Sequence, residues 1–218
     1  MKNNEYKNNL LLLCGAISGL IFTVSWLVQE YFKIGYDPFR IPISSLALGE
    51  LGWIQTITFL VSGLSLILFA YGLKKLRTKK NFSKWIPISF FIAGIGLVGA
   101  GCFTTDPMNG FPIGTSKTII ETTLIGNLHQ IFSVLLFIGL PCAMILFSKY
   151  FSIIKNKKWL IYSNISAILF IIFIIILKAA GEPSLGLLPY YGLIQRVILI
   201  IGFLWLILLS YFYFFLKK

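Results

Sequence analysis

The residues able to do chemistry in this chain are few and stand in four short stretches. The only histidine, His129, closes "GNLH" (126–129). Ser44 and Ser45 sit in "PISSLALGELGW" (42–53), with Arg40 just ahead of that stretch and Glu50 inside it. Asp106 lies in "TTDPMNGFP" (104–112), and Gln195 and Arg196 end "GLIQR" (192–196). A hydroxyl, an imidazole and a carboxylate are the parts of a Ser–His–Asp hydrolase, which geometry rather than chain order defines. In that reading Ser44 or Ser45 is the nucleophile, His129 the base and Asp106 its orienter. No GxSxG elbow surrounds the serines, and no oxyanion donors are identifiable. In the simpler reading His129 and Asp106 tie a loop to a helix, while the serines cap one.

The same groups suit binding without reaction. A guanidinium at Arg40 or Arg196 matches an anionic headgroup or a carboxylate. The sequence predicts a pocket drawing on Arg40, Ser45, Glu50, Asp106, His129, Gln195 and Arg196, which takes a small or lipid-like ligand. His129 with Asp106 and Glu50 is the smallest conceivable zinc set, but it has no ligand spacing, and a lone histidine excludes bis-His haem. No metal or other cofactor is expected. Cys14, Cys102 and Cys142 are scattered within apolar runs and read as packing residues.

The elements holding these residues are set by hydrophobicity. The chain has 218 residues, 57% hydrophobic and 12% charged, with a mean hydropathy of +0.87. Soluble domains are about half apolar and about a quarter charged, so the balance is that of a membrane protein. A bilayer core takes about 20 apolar residues in a helix. Six stretches qualify: 10–28, 51–73, 85–103, 128–147, 160–177 and 192–216. Helices are required because backbone groups cannot stay unpaired in lipid. The first stretch follows "MKNNEYKNN" and resembles a signal sequence. Its length and the missing A-x-A site mark it as a spanning helix. The expected fold is all-α: one transmembrane domain, residues 1–218, of six helices.

Net charge is +12, with 19 Lys+Arg against 7 Asp+Glu. The cations are short clusters beside apolar runs, with neither a stacking platform nor a basic helix face, so no nucleic-acid partner is expected. Lys2, Lys7, Lys74, Lys75, Arg77, Lys79, Lys80, Lys84, Lys149, Lys155, Lys157, Lys158, Lys217 and Lys218 fall on one side of the six spans. By the positive-inside rule that side is cytoplasmic, with both termini there, in an inner or plasma membrane. Those inner loops should attract anionic headgroups in general, and membrane lipids are the expected partners. Trp26, Tyr31, Trp53, Tyr190 and Tyr191 mark the outer interface; Tyr71, Trp85, Tyr150, Trp159, Tyr211 and Tyr213 mark the inner one. Gly15/Gly19, Gly96/Ala100 and Gly139/Ala143 are faces for close helix contact, and Pro141 sits deep in the fourth span. Six of the eight prolines fall in the three outer segments, which are therefore shaped.

The blocks "DPFRIPISSLALGELGWIQ" (37–55), "GAGCFTTDPMNGFP" (99–112), "GNLH" and "GLIQR" resemble a bacterial membrane-protein family catalogued as domain of unknown function 998. The resemblance covers nearly the whole chain and implies six membrane helices and no established activity. In that family the first block often reads R-D-P-I-S. Here Ile41 stands at the acid's place, so Asp37 or Glu50 would supply any charge pairing. A fainter echo relates 44–55 to 184–195 at a constant offset of 140, with Ser, Leu, Gly, Ile and Gln matching. The leading expectation is an outward-facing polar pocket for a small or lipid-like ligand, an anionic one included. An interfacial hydrolase and a purely structural or regulatory membrane protein are the other two.

Overall fold

The computed structural model describes residues 2–76, 81–116 and 122–216. Arg77, Lys79, Lys80, Lys117, Glu121, Lys217 and Lys218 lie outside the described residues, as do the side chains of residues 1–8, Pro183, Phe215 and Leu216. Six helices follow in order: α1 (Lys2–Phe32), α2 (Gly52–Lys75), α3 (Trp85–Cys102), α4 (Leu124–Ile153), α5 (Lys157–Ala180) and α6 (Tyr191–Tyr211). Each is long and apolar enough to cross a membrane. At about 1.5 Å per residue, the 31-residue α1 exceeds the ~30 Å bilayer core.

Each helix packs against the next in the chain, and α6 packs back on α1, closing a ring. The connections run between neighbouring ends, so adjacent helices are antiparallel. The ring has a termini end and a far end that carries the segments 33–51, 103–116, 122–123 and 181–190. Its axis is filled by aromatics: Trp205, Phe90 and Phe147 pack together toward the termini, and Phe22 stacks on Phe203 with centroids 4.6 Å apart. Hydroxyls tie neighbours. Ser18 Oγ donates to Ser62 O at 2.8 Å, Trp205 Nε1 to Ser163 Oγ at 3.1 Å, and Ser210 Oγ to Leu12 O.

The small-residue faces predicted from sequence do bring helices together. A methyl on Gly96 would lie 2.7 Å from Leu136 N, and one on Gly139 would lie 2.7 Å from Ser89 O. Some aromatics differ from expectation. Trp26 is 2% exposed, and Tyr150 and Tyr213 are each 4% exposed, so these three are core residues rather than interface anchors. The ring interior is wide enough to need large fillers, and the aromatics at helix ends turn inward to supply them. Tyr31 and Trp53 remain exposed, as anchors should be.

The stretch 42–53 is not a loop over the surface. Ile43–Ala47 form a 3-10 turn whose Ile43, Ser45 and Leu46 are buried. It plugs the far end of the ring and hands over to α2 through Gly49 and Leu51, both at positive φ. The left-handed region costs a leucine roughly 1–2 kcal/mol. Lys33 holds the turn from outside: its Nζ donates to Leu46 O at 3.0 Å and Glu50 O at 2.6 Å. Burial pushes the Lys33 ammonium below the usual lysine range, against the opposing pull of Glu50.

Candidate functional site

The residues singled out from sequence all lie at the far end, but they divide into three ties and one cavity. The first tie is built on Arg196, in the second turn of α6. Its guanidinium is buried, and every N–H direction is taken. Nε and one NH2 donate to Glu30 Oε2 at 3.0 and 2.8 Å. The same NH2 donates to the Tyr36 hydroxyl at 2.7 Å. The other donates to Ile41 O at 3.1 Å and Gly192 O at 2.9 Å. The rings of Trp26 and Tyr36 lie 5.4 and 5.5 Å from the guanidinium carbon. Tyr36 in turn donates within the 41–42 turn, where Ile41 O and Pro42 O are 3.2 and 3.0 Å away. Burial holds this phenol protonated, pushing its pKa up to about 12 despite the opposing pull of Arg196. Arg196 therefore joins α6, α1 and the 36–42 loop and has no donor left for a ligand.

The second tie locks the loops to each other. An NH2 of Arg40 donates to Asn109 O at 3.2 Å, and Asn109 Nδ2 returns a bond to Arg40 O at 3.0 Å. Arg40 is thus a loop clamp. Glu50 is exposed; its part in the plug is the backbone oxygen that receives Lys33.

The third tie is made by Asp106. Its carboxylate accepts from Thr123 N at 2.9 Å and Thr123 Oγ1 at 2.7 Å. Thr123 then caps α4 by accepting from Gly126 N at 3.0 Å. Gly126 is required here, since a methyl on it would lie 2.0 Å from Asp106 Oδ2. This is the loop-to-helix role weighed against catalysis above. His129, one turn into α4, is held by two main-chain oxygens instead: its Nδ1 is 3.0 Å from Ala100 O and 2.8 Å from Phe103 O. A ring nitrogen between two carbonyl oxygens must carry the proton, so Nε2 holds the lone pair. No described residue hydrogen-bonds to Nε2. The Ser–His–Asp constellation is consequently not assembled. Asp106 points at Thr123, and carbonyls at the end of α3 orient the imidazole. Ser45 Oγ is fully buried without a partner.

Ser44, His129 and Gln195 do converge. They line a cavity of about 570 Å³ at the far end, between α4, α5 and α6 and beneath the start of the plug. The polar wall adds Thr105, Gln130, Ser133, Tyr191 and Lys178, none of them a candidate pocket residue from sequence. The rest is apolar: Val134, Phe137, Ile138, Ile174 and Leu177. Gln195 also fixes the plug, with its Oε1 accepting from Ile43 N at 2.7 Å. A smaller space of about 30 Å³ adjoins on the ring axis and shares Ser44, Ser133, Phe137 and Gln195. That volume suits a single water.

The cavity borders the second half of α5. The fully buried residues of α5 are Ser163, Ser166, Ala167 and Phe170 in the first half, then only Ala180. In the intervening "IIFIIILK", Phe173, Ile174, Ile176 and Leu177 are only partly buried against the core. Ile174, Leu177 and Lys178 face Val134 and Ile138 of α4 across a lateral gap. Exposed Val134 and Ile138 border it, and exposed Lys178 sits at its rim.

A stripe on α4 could have revealed the wall. His129, Gln130, Ser133 and Phe137 recur at helical spacing, three of them polar in an otherwise apolar span. Glu30 was also legible. An acid in the last turn of an apolar helix calls for a cationic partner, and the cations on its side of the membrane were few.

The family described as "Protein of unknown function (DUF998)" matches residues 16–211 of the chain. No curated protein and no solved structure matches it.

Proposed function

The chain belongs to the DUF998 family of unknown function, and from that premise we propose that this multi-pass membrane protein binds an amphipathic, lipid-like molecule in the lateral cavity at its far end. The observation that carries the proposal is one cavity with a polar inner wall, an apolar flank and a gap toward the bilayer. At about 570 Å³ it lies in the range that encloses one small ligand, about 300–1,000 Å³. A single apolar chain would run along Val134, Ile138 and Ile174. The headgroup would meet Lys178, Gln130, Ser44 and Ser133, which favour an anionic, hydroxyl-bearing group. His129 Nε2 would accept from a hydroxyl. The cytoplasmic assignment of the termini end belongs to the same proposal, and it rests on Lys74, Lys75, Lys84, Lys149, Lys155, Lys157 and Lys158 lying at that end.

The test is photocrosslinking of the full chain with a single-chain phospholipid carrying a diazirine in its acyl chain. Labels should map to the peptides bearing Val134, Ile138 and Ile174. Filling the cavity by Ser133→Trp should remove them, and Lys178→Gln, at an exposed position, should weaken them. Labelling spread evenly over the lipid-facing helices, or untouched by both substitutions, would overturn the proposal.

One observation supports a second reading. Ser44 and His129 line the same cavity, so a hydrolase acting on an ester there would use Ser44 as nucleophile and His129 as base. A fluorophosphonate probe decides between the two. The binding reading expects no labelled serine; a label on Ser44 that disappears in His129→Ala would establish the hydrolase.

A further inference from the structure

A second membrane-facing hollow lies at the opposite end of the bundle, between α2 and α3. Its origin is a close helix crossing. A methyl on Gly63 would lie 2.8 Å from Gly94 O, and one on Gly94 would lie 2.9 Å from Gly63 O, so the two backbones touch there. Helices that touch at one point and cross at an angle separate on either side of it. Toward the termini the separation leaves a wedge of about 560 Å³. Its sides are apolar, with Ile67 and Leu68 on α2 and Ile88 and Phe91 on α3, and its mouth holds Lys74 and Lys84, one from each side. Both lysines are exposed, and neither is paired with an acid among the described residues. Lys84 also lies over the ring of Trp85 at 5.4 Å, which fixes its height at the interface.

We propose that this wedge is a binding site for one anionic phospholipid. The phosphate sits between Lys74 and Lys84, and an acyl chain descends between α2 and α3 toward the Gly63–Gly94 crossing. Charge complementarity selects the occupant: the mouth offers two cations and no carboxylate, while the walls, apart from Tyr71, offer only hydrocarbon. From Lys74 to Ile67 along α2 is about 10 Å, so the wedge holds the upper part of a chain beneath its headgroup. The site is separate from the lateral cavity in position and in leaflet, and it does not depend on that reading.

Native mass spectrometry of the full chain in a non-ionic detergent tests it. The probe is an equimolar mixture of phosphatidylglycerol and phosphatidylcholine with identical acyl chains. A lysine near an anionic surface favours the charged lipid roughly fivefold, so two should enrich phosphatidylglycerol about 25-fold among first-bound lipids. Lys74→Gln with Lys84→Gln should bring that ratio close to one. Lys149→Gln with Lys157→Gln, which removes two exposed cations of the same end away from the wedge, should leave it unchanged. Ile88→Trp fills the wedge without touching charge and should lower phosphatidylglycerol retention at least fivefold. No enrichment in the unaltered chain would overturn the proposal. So would an equal loss in both lysine pairs, or full retention in Ile88→Trp, since either result would mean diffuse surface attraction.

Discussion

Replacing Arg196 by leucine removes a cation that five contacts hold in place, and the consequence can be worked from those contacts. The substitution leaves the Glu30 carboxylate, whose side chain is 18% exposed, without its ion-pair partner. It also strips a donor from Tyr36, Ile41 O and Gly192 O. Breaking one side of a buried pair costs about 3–5 kcal/mol. Partial hydration of Glu30 puts the value at the lower end, about 3 kcal/mol. At roughly 2–4 °C per kcal/mol for a chain of this size, the unfolding midpoint should fall by about 10 °C. Arg196→Lys keeps a charge near Glu30 but loses the planar fork, and should cost about 1–2 kcal/mol. In Glu30→Leu with Arg196→Leu no charge is stranded, so the loss should be smaller than the two single losses combined, a coupling of at least 1 kcal/mol. The assay is thermal unfolding of the detergent-solubilised chain followed by intrinsic fluorescence. A loss below 1 kcal/mol in Arg196→Leu, or strict additivity in the double variant, would refute the assignment of Arg196 as a tie.

Tyr36 makes stability depend on alkaline pH. Its folded pKa of about 12 lies above the unfolded value near 10, so its contribution is intact below pH 10 and is lost as pH rises from 10 to 12. The unaltered chain should lose roughly 2–3 kcal/mol over that window that Tyr36→Phe does not, as read from unfolding midpoints at stepped pH. Gly126→Ala drives a methyl into the Asp106 carboxylate and should destabilise by about 2 kcal/mol, while Asp106→Ala, which removes the acceptor for Thr123, should cost about 1 kcal/mol. The same unfolding assay reads both, and a neutral Gly126→Ala would remove the case for that contact. Ser45→Ala should be neutral or stabilising by up to about 1 kcal/mol, because it deletes a buried hydroxyl that has no partner. A loss above 1 kcal/mol would show that Ser45 Oγ is bonded in solution.

Much of the architecture was legible because lipid leaves a chain few choices. Six apolar stretches gave six helices, and the observed ends differ from the expected ones mainly by turns that run past the bilayer core. The depth of the candidate residues was legible too: all lie at the far end. Their grouping was not. Ser44 and Ser45 read alike in sequence, yet a 3-10 turn points the first into a cavity and seals the second in protein. Arg196 looked available because its acid, Glu30, stands 166 positions earlier, beyond any local pattern. Asp106 and His129 lie near each other as expected, but Thr123 and two backbone carbonyls take the bonds a triad would need. Side-chain hydrogen bonding between distant segments is the level that periodicity and hydropathy do not encode.

The closed ring carries a consequence for how the molecule is made. The most extensive helix contacts join successive helices, so each of these can form as soon as its second partner has entered the membrane. The packing of α6 against α1, and of Trp205 against Phe90 and Phe147, waits for the last helix. Until then Glu30 stands at the end of α1 without a counterion, at a depth where water still reaches it. The arrival of Arg196 neutralises that acid and ties down the 36–42 loop, and the neighbouring Gln195 secures Ile43 of the plug. The Arg196–Glu30 pair thus acts as a clasp: it commits the assembly only when the whole chain is present. Variants lacking it should accumulate as inserted, open bundles that quality-control proteases can reach.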